Sequence, residues 1–145
     1  MSTTDSLAVV RRYAEEVWDP SNPFDPDVLR RYFSPSLKRY TSAVSPPLDP
    51  EAQIARLQGI RTAFPDVTIV ADDYVAEGDT VVVRATLRGT HRGEFLGIPA
   101  TGRPVQATIV DFIRIEDGLI AEQWGGPDVF DMLRQIGVTF TARDD

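Results

Sequence analysis

The chain has 145 residues, of which 42% are hydrophobic, and 22 acidic against 15 basic residues give it a formal net charge of −7. This length suits one domain, residues 1–145, with a substantial core. The negative charge repels nucleic-acid phosphates and anionic lipids, so we expect neither nucleic acid nor a membrane as a partner. The absence of cysteine excludes disulfides and thiolate catalysis, and a single histidine argues against a zinc site.

No stretch of the sequence approaches the roughly 18 apolar residues of a membrane span. The apolar run at residues 7–10 is too short for the core of a signal peptide. Together with the lack of cysteine, these features predict a cytoplasmic protein.

Three helices are predicted in the first half of the chain. Apolar residues recur every three or four positions from residue 6 to residue 18, which is typical of an amphipathic helix. Two Asp-Pro pairs each combine a capping residue with proline at the first helical position, and each begins a helix: Asp25-Pro26 and Asp49-Pro50. We expect these helices to end at the next prolines, Pro35 and Pro65.

The second half of the chain predicts two antiparallel hairpins and a closing helix. Gly78 and Gly118 lie in tight reversals between β-branched runs. The closing helix begins near Asp128 and ends near Gly137. The predicted strands cover residues 67–75, 80–88, 105–115 and 119–124. Helices followed by strands indicate an α+β fold.

Asp111 is the best catalytic candidate. Alternation along residues 105–115 places it on a face that is otherwise wholly apolar. A carboxylate in an apolar wall pairs with a cation, accepts hydrogen bonds or has a raised pKa, and a raised pKa suits a general acid or base near neutral pH. The alternative is that Asp111 neutralises a neighbouring arginine such as Arg84.

His91 is the second catalytic candidate, as a base or as a donor to a substrate carbonyl. It lies in a glycine-rich connection, where a histidine with a turn or surface role is the alternative. No Gly-x-Ser-x-Gly motif occurs, which excludes the nucleophile elbow of a Ser-His-Asp hydrolase.

Large aromatic residues and one amide could contact a substrate. Gln123 and Glu122 lie on opposite faces of the last strand, so one of them points to the same side as Asp111. The aromatic candidates are Trp18, Tyr40, Tyr74 and Trp124, for which a place in the core is the alternative.

Several segments resemble the SnoaL-like polyketide cyclase family. The most specific is Gly-Thr-His-Arg-Gly-Glu-Phe-Leu-Gly-Ile-Pro at residues 89–99, and Ala-Phe-Pro-Asp-Val at 63–67 also matches. Weaker signals are Glu-Asp-Gly-Leu-Ile at 116–120 and Leu-Arg-Gln-Ile-Gly at 133–137. The resemblance implies an NTF2-like cone, in which a curved antiparallel sheet and N-terminal helices enclose a hydrophobic cavity. It also implies intramolecular aldol ring closure without metal or cofactor.

The same resemblance identifies two departures from the family. The position of the acid/base aspartate that follows the last strand is Gly125 here, and the position of a pocket histidine on the long strand is Asp111. Two interpretations follow: the acid/base chemistry has moved to Asp111, or the reaction is a different one. Relatives with this cone include hydroxylase-like proteins, epoxide hydrolases and epoxide-opening cyclases.

The sequence thus predicts a cofactor-independent cyclase or isomerase of natural-product biosynthesis that acts on a hydrophobic, polyketide-like small molecule. An epoxide-opening enzyme and a non-catalytic ligand-binding module are the alternatives. We expect a homodimer formed through the outer face of strand 105–115, where Val110 and Phe112 lie.

Overall fold

The computed structural model describes residues 2–144. Within this range, helices occupy the first half and strands the second, apart from one early strand and a closing helix. The elements are α1 (Thr3–Val17), α2 (Pro26–Tyr32), β1 (Phe33–Arg39), α3 (Pro50–Ala63), β2 (Thr68–Glu77), β3 (Thr80–Thr90), β4 (Pro104–Glu116), β5 (Leu119–Pro127) and α4 (Val129–Gln135).

Side chains at the predicted capping positions satisfy free backbone N–H groups at the helix starts. Asp25 accepts a hydrogen bond from the N–H of Asp27, Asp49 from that of Ala52, and Asp128 from that of Asp131. Proline follows the first two of these caps at the start of α2 and α3. The predicted starts of these three helices are confirmed.

The five strands form one sheet in the order β1-β5-β4-β3-β2. Both predicted hairpins, β2-β3 and β4-β5, are present, and β3 also pairs antiparallel with β4. The sheet is curved, and the predicted α+β class is confirmed.

Strand β1 corrects two sequence expectations. The second helix ends at Tyr32 rather than at Ser34-Pro35, and the chain continues directly into a strand. This strand pairs parallel with β5, so the sheet is not antiparallel throughout. The sequence concealed β1 because Pro35 and four polar residues interrupt its apolar pattern, although Phe33 and Leu37 are buried.

The two faces of the sheet differ sharply in burial. Along β4, alternate residues from Val105 to Ile115 are buried, and most of the intervening side chains are exposed. Helix α1 packs against β2 and β3, and α3 packs against β1, so both helices cover the buried, concave face. Within residues 2–144, no helix is long and apolar enough to span a membrane.

Candidate active site

A small inner cavity lies between the concave face of the sheet and helices α1 and α3. Its volume is about 30 Å³, close to the share of one water molecule in the liquid. Apolar side chains form much of its wall, but six polar or charged residues also line it: Tyr13, Arg39, Gln53, Arg56, Asp111 and Gln123. A cavity this small accommodates one functional group of a ligand rather than a ring system.

Asp111 is the acidic residue that lines this cavity. It is 9% exposed, and its Oδ1 lies 3.8 Å from Nη2 of Arg39. This oxygen is buried and accepts no hydrogen bond from the described residues. Burial raises the pKa of the Asp111 carboxyl above its ordinary value, and the positive charges of Arg39 and Arg56 oppose this increase.

Arg39 enters the cavity from the end of β1 and is only 2% exposed. Its Nη2 donates a hydrogen bond to the backbone oxygen of Gly125 at 2.7 Å. Its Nε and Nη1 are buried and have no acceptor in the part of the chain that the structure describes. Arg39 therefore has unused donors beside Asp111.

Helix α3 contributes Gln53 and Arg56, which lie one helical turn apart. Nη1 of Arg56 donates a long hydrogen bond of 3.5 Å to Oε1 of Gln53. The pKa of the Arg56 guanidinium is lowered, first by burial and then by the charge of Arg39, while Asp111 raises it. The cavity thus brings two cations close to one carboxylate.

Tyr13 and Gln123 complete the polar wall. Burial is the main reason that the pKa of the Tyr13 hydroxyl is raised, and the charge of Asp111 adds to it, so this phenol is neutral at physiological pH. Gln123 is 2% exposed, and its Oε1 is buried without a hydrogen-bond donor among residues 2–144. Both side chains can donate or accept hydrogen bonds with a ligand.

An outer groove adjoins the inner cavity between α3, the loop at 94–96 and α4. Its volume is about 290 Å³. Arg56, Ile60 and Pro127 line both spaces, so they form the boundary between them. The remaining lining is largely apolar and comprises Ala55, Gly59, Glu94, Phe95, Leu96, Val129 and Met132.

Comparison with known proteins identifies the family. Residues 8–136 match the model of the SnoaL-like polyketide cyclase family, which is most of the chain. The chain belongs to the SnoaL-like polyketide cyclase family. The resemblance seen in the sequence is therefore confirmed.

Curated relatives of this SnoaL-like chain are cyclases. It is 30% identical to the aklanonic acid methyl ester cyclase of Streptomyces sp. (strain C5) over 76% of this chain and 67% of that protein. It is 34% identical to the aklanonic acid methyl ester cyclase of Streptomyces peucetius, over 61% of each chain. The aligned region thus spans about two thirds of these relatives' length.

The fold of this family member is also found in solved structures. A SnoaL-like protein from Jannaschia sp. CCS1 superposes with a TM-score of 0.83 at 25% identity, covering 94% of both chains. This agreement confirms the NTF2-like architecture expected from the resemblance.

The structure brings three of the predicted site residues together. Asp111, Gln123 and Trp18 all line the inner cavity of this SnoaL-like protein. The structure also shows which residue of β5 lies on the same side as Asp111: Gln123 points inward, whereas Glu122 pairs with Arg114. Asp111 does contact an arginine, but that residue is Arg39 rather than Arg84.

His91 is buried outside both cavities, against the ring of Phe64. The backbone N–H of Thr101 donates to His91 Nδ1 at 3.2 Å, and the Thr101 hydroxyl lies 2.9 Å from the same nitrogen. The backbone of His91 also bonds with Arg103 and Gly102. These contacts make it an anchor for the loop that follows β3.

The other predicted aromatic residues lie on the outside of the cone. Tyr40 and Trp124 stack on each other, with ring centroids 5.3 Å apart, beside an open surface pocket. Tyr74 lies under the guanidinium of Arg11, 4.4 Å from its ring centroid. The structure therefore does not bring these three residues to Asp111.

Gly125 is constrained by the backbone. Its φ is +94°, a conformation that favours glycine, and a Cβ here would lie 2.0 Å from the carbonyl oxygen of Val110. An aspartate with this backbone is sterically excluded. The strand geometry therefore requires glycine at this position, where the resemblance implies an aspartate.

Sequence reasoning missed four of the polar residues in the cavity: Tyr13, Arg39, Gln53 and Arg56. A signal existed for two of them, because Gln53 and Arg56 occur at helical spacing with Leu57 and Ile60, which line the same wall. Arg39 follows Leu37 by two positions in a strand that was not predicted. Among residues 2–144 there is no group of three or more His, Asp or Glu residues that could hold a metal.

Proposed function

We propose that this chain is a cytoplasmic, cofactor-independent cyclase that closes a ring in a hydrophobic, polyketide-like molecule of natural-product biosynthesis. The observation that carries the proposal is a buried Asp111 in the inner cavity, which adjoins a ligand-sized groove; one oxygen of Asp111 accepts no hydrogen bond from the described residues. A carboxylate in this state is poised to exchange a proton with a ligand.

The proposed reaction is an intramolecular aldol addition. Asp111 removes a proton from a carbon beside a ketone, and the resulting carbanion attacks a second carbonyl of the same molecule. Asp111 then returns the proton to the new alkoxide, so the product is an isomer of the substrate. Tyr13 and Gln123, which line the same cavity and can donate hydrogen bonds, would stabilise the negative charge that develops on oxygen.

A second candidate function is ligand binding without turnover. It is favoured by the glycine at the family's aspartate position and by the contact of Asp111 with Arg39. Epoxide opening receives less support, because that reaction uses an acid opposite an activated hydroxyl or water, and Asp111 is the acidic side chain that lines the inner cavity.

Incubation with aklanonic acid methyl ester, the compound named for the curated relatives, followed by chromatography and mass analysis separates these functions. A cyclase yields a product of unchanged mass and altered retention. Gain of one water indicates a hydrolase, and recovery of unchanged compound from a saturated complex indicates a binding module. A panel of related polyketide ketones extends the test if this one compound does not bind.

We also propose a homodimer formed through the outer face of the sheet. Trp124, Phe112, Val82 and Val75 are register partners across four strands, which makes one apolar row. Phe112 is 48% exposed and Val75 is 65% exposed. Sedimentation equilibrium tests this proposal: Phe112→Lys should convert a dimer to a monomer, and a monomeric wild-type protein would refute it.

A further inference from the structure

The charges around the inner cavity do not balance. Arg39 and Arg56 are cations, and Asp111 is the acidic residue among the described residues that line it. The nearby Tyr13 cannot supply a second anion, because burial keeps its hydroxyl protonated. Even with Asp111 ionised, the described lining residues leave one positive charge without a counter-ion. Arg39 is buried and Arg56 is half-buried, and an uncompensated charge in such surroundings is unfavourable.

The two guanidinium groups converge on one part of the wall. A Cβ on Gly126 would lie 3.0 Å from Nη2 of Arg39 and 3.4 Å from Nη2 of Arg56. Glycine at this position therefore leaves the space in which the two cations approach each other. An anion between them would relieve their mutual repulsion.

Arg39 also has hydrogen-bond donors without an acceptor, which indicates that a ligand could supply one. Its side chain is 3% exposed, yet Nε and Nη1 have no hydrogen-bond partner among residues 2–144. Buried arginine donors are normally satisfied, and a carboxylate can accept from two of them at once. One anionic group could therefore both accept hydrogen bonds from the unused donors and neutralise the excess positive charge.

The dimensions of the two spaces limit what this group can be. The inner cavity, at about 30 Å³, admits a planar carboxylate at the end of a ligand, whereas the outer groove, at about 290 Å³, has room for a ring system. Glu94 is the acidic residue that lines the outer groove, and it is exposed to solvent. The anion is therefore expected at the inner end.

We propose that this cavity selects acids: Arg39 and Arg56 hold one ligand carboxylate in the inner cavity while the apolar body of the ligand lies in the outer groove. With this carboxylate bound, the net charge of Arg39, Arg56, Asp111 and the ligand is zero. This inference rests on the proposed function only in taking the cavity as the substrate site, and it adds that the substrate carries a free acid.

Calorimetric titration with 2-naphthoate and 2-naphthamide tests the proposal on the unmodified protein. The two probes share one ring system and differ in charge. Naphthoate should bind at least about 10-fold more tightly than the amide. This preference should persist in about 0.5 M NaCl, because buried charges are screened much less than surface charges.

Two variants locate the effect. Arg39→Gln and Arg56→Gln should each reduce naphthoate affinity by about 10-fold or more and change naphthamide affinity by less than about threefold. Arg88→Gln is the matched control, because Arg88 is exposed, lines neither space and carries the same charge. Circular dichroism confirms that each variant is folded, and the wild-type comparison of the two probes requires no variant.

Equal affinity for acid and amide, no naphthoate binding at millimolar concentration, or an equal loss in Arg88→Gln would overturn the acid site. These binding measurements involve no reaction. Acid selectivity without turnover of any polyketide would therefore refute the cyclase while supporting the acid site. Turnover without acid selectivity would do the reverse.

Discussion

Strands β4 and β5 carry two charged clusters that use their side chains in opposite ways. On the outer face, Arg114 bonds Glu122 through Nε at 2.8 Å and contacts it through Nη2 at 2.7 Å, and its Nη1 reaches Glu116 at 3.1 Å. On the inner face, Asp111 faces Arg39 at 3.8 Å without a hydrogen bond between them.

The outer cluster has the contacts of a stabilising ion-pair network, whereas the inner cluster has those of a candidate ligand site. The outer cluster is geometrically complete, so it has little left to offer a ligand and tolerates solvent. The inner cluster is buried and incomplete, so its free energy is improved by a ligand that supplies the missing partners. Unsatisfied buried groups, rather than well-formed ion pairs, identify the candidate site.

Asp111→Asn should have the largest effect on this comparison. The substitution preserves shape but removes the proton acceptor, so turnover should fall roughly 100- to 10,000-fold while the protein remains folded. Steady-state turnover measures the change, and Glu116→Gln in the outer cluster is the control that should leave turnover unaltered. Full activity in Asp111→Asn would end the case for Asp111 as the acid/base.

Gly125→Ala tests the close backbone contact between β5 and β4, the two strands that carry both clusters. The added Cβ meets the Val110 carbonyl at 2.0 Å in a positive-φ conformation, which should destabilise the protein by about 3 kcal/mol or more. The thermal midpoint should fall by roughly 10 °C. Gly78→Ala is the matched control, because its φ is +59° but nothing lies within 4 Å of the new Cβ, and about 1 kcal/mol is expected.

The pH dependence of turnover tests whether the ionisation of Asp111 in the inner cluster controls activity. Asp111 must be ionised to act as a base, and burial raises its pKa above the ordinary value of 3.8. Activity should therefore be lost on acidification at a higher pH than an exposed aspartate would give. Arg39→Gln removes a charge that lowers this pKa, so the acid limb of the profile should move further upward.

A pH profile of Arg114→Gln provides the contrast for that experiment, since Arg114 bonds acidic residues on the opposite face. Its acid limb should coincide with that of the wild type. If Arg39→Gln also leaves the limb in place, the titration does not belong to Asp111.

The smallest effect is expected from breaking the outer cluster itself. Arg114 and Glu122 are partly exposed, so their coupling should be about 1 kcal/mol or less. A double-mutant cycle with Arg114→Gln and Glu122→Gln, followed by urea denaturation, measures it. A coupling of several kcal/mol would mean that the outer cluster is a main support of the sheet.

The part of the site that depends on regular alternation is predictable from the sequence. Asp111 interrupts an apolar face of period two, and this pattern alone places its side chain on the inner face of the sheet. The capped helices and the glycine-containing hairpins are predictable for the same reason, since local chemistry determines them.

The rest of the site depends on contacts between distant segments. Arg39 lies on an edge strand that pairs with β5, and nothing near Arg39 in the sequence indicates that pairing. His91 is attractive as the single imidazole, but residue type does not reveal whether a loop needs an internal anchor. Stacking places Tyr40 and Trp124 on the outside, which residue type does not reveal either.

The pairing of β1 with β5 also has a consequence for the order in which the protein is made. Strand β1 ends at Arg39, and its partner β5 begins at Leu119. During synthesis, β1 therefore cannot pair with β5 until most of the chain has been made. Closing so long a loop is entropically unfavourable until the other strands have assembled. We therefore expect Arg39 to reach its position beside Asp111 late in folding, so that the candidate site forms only after most of the sheet.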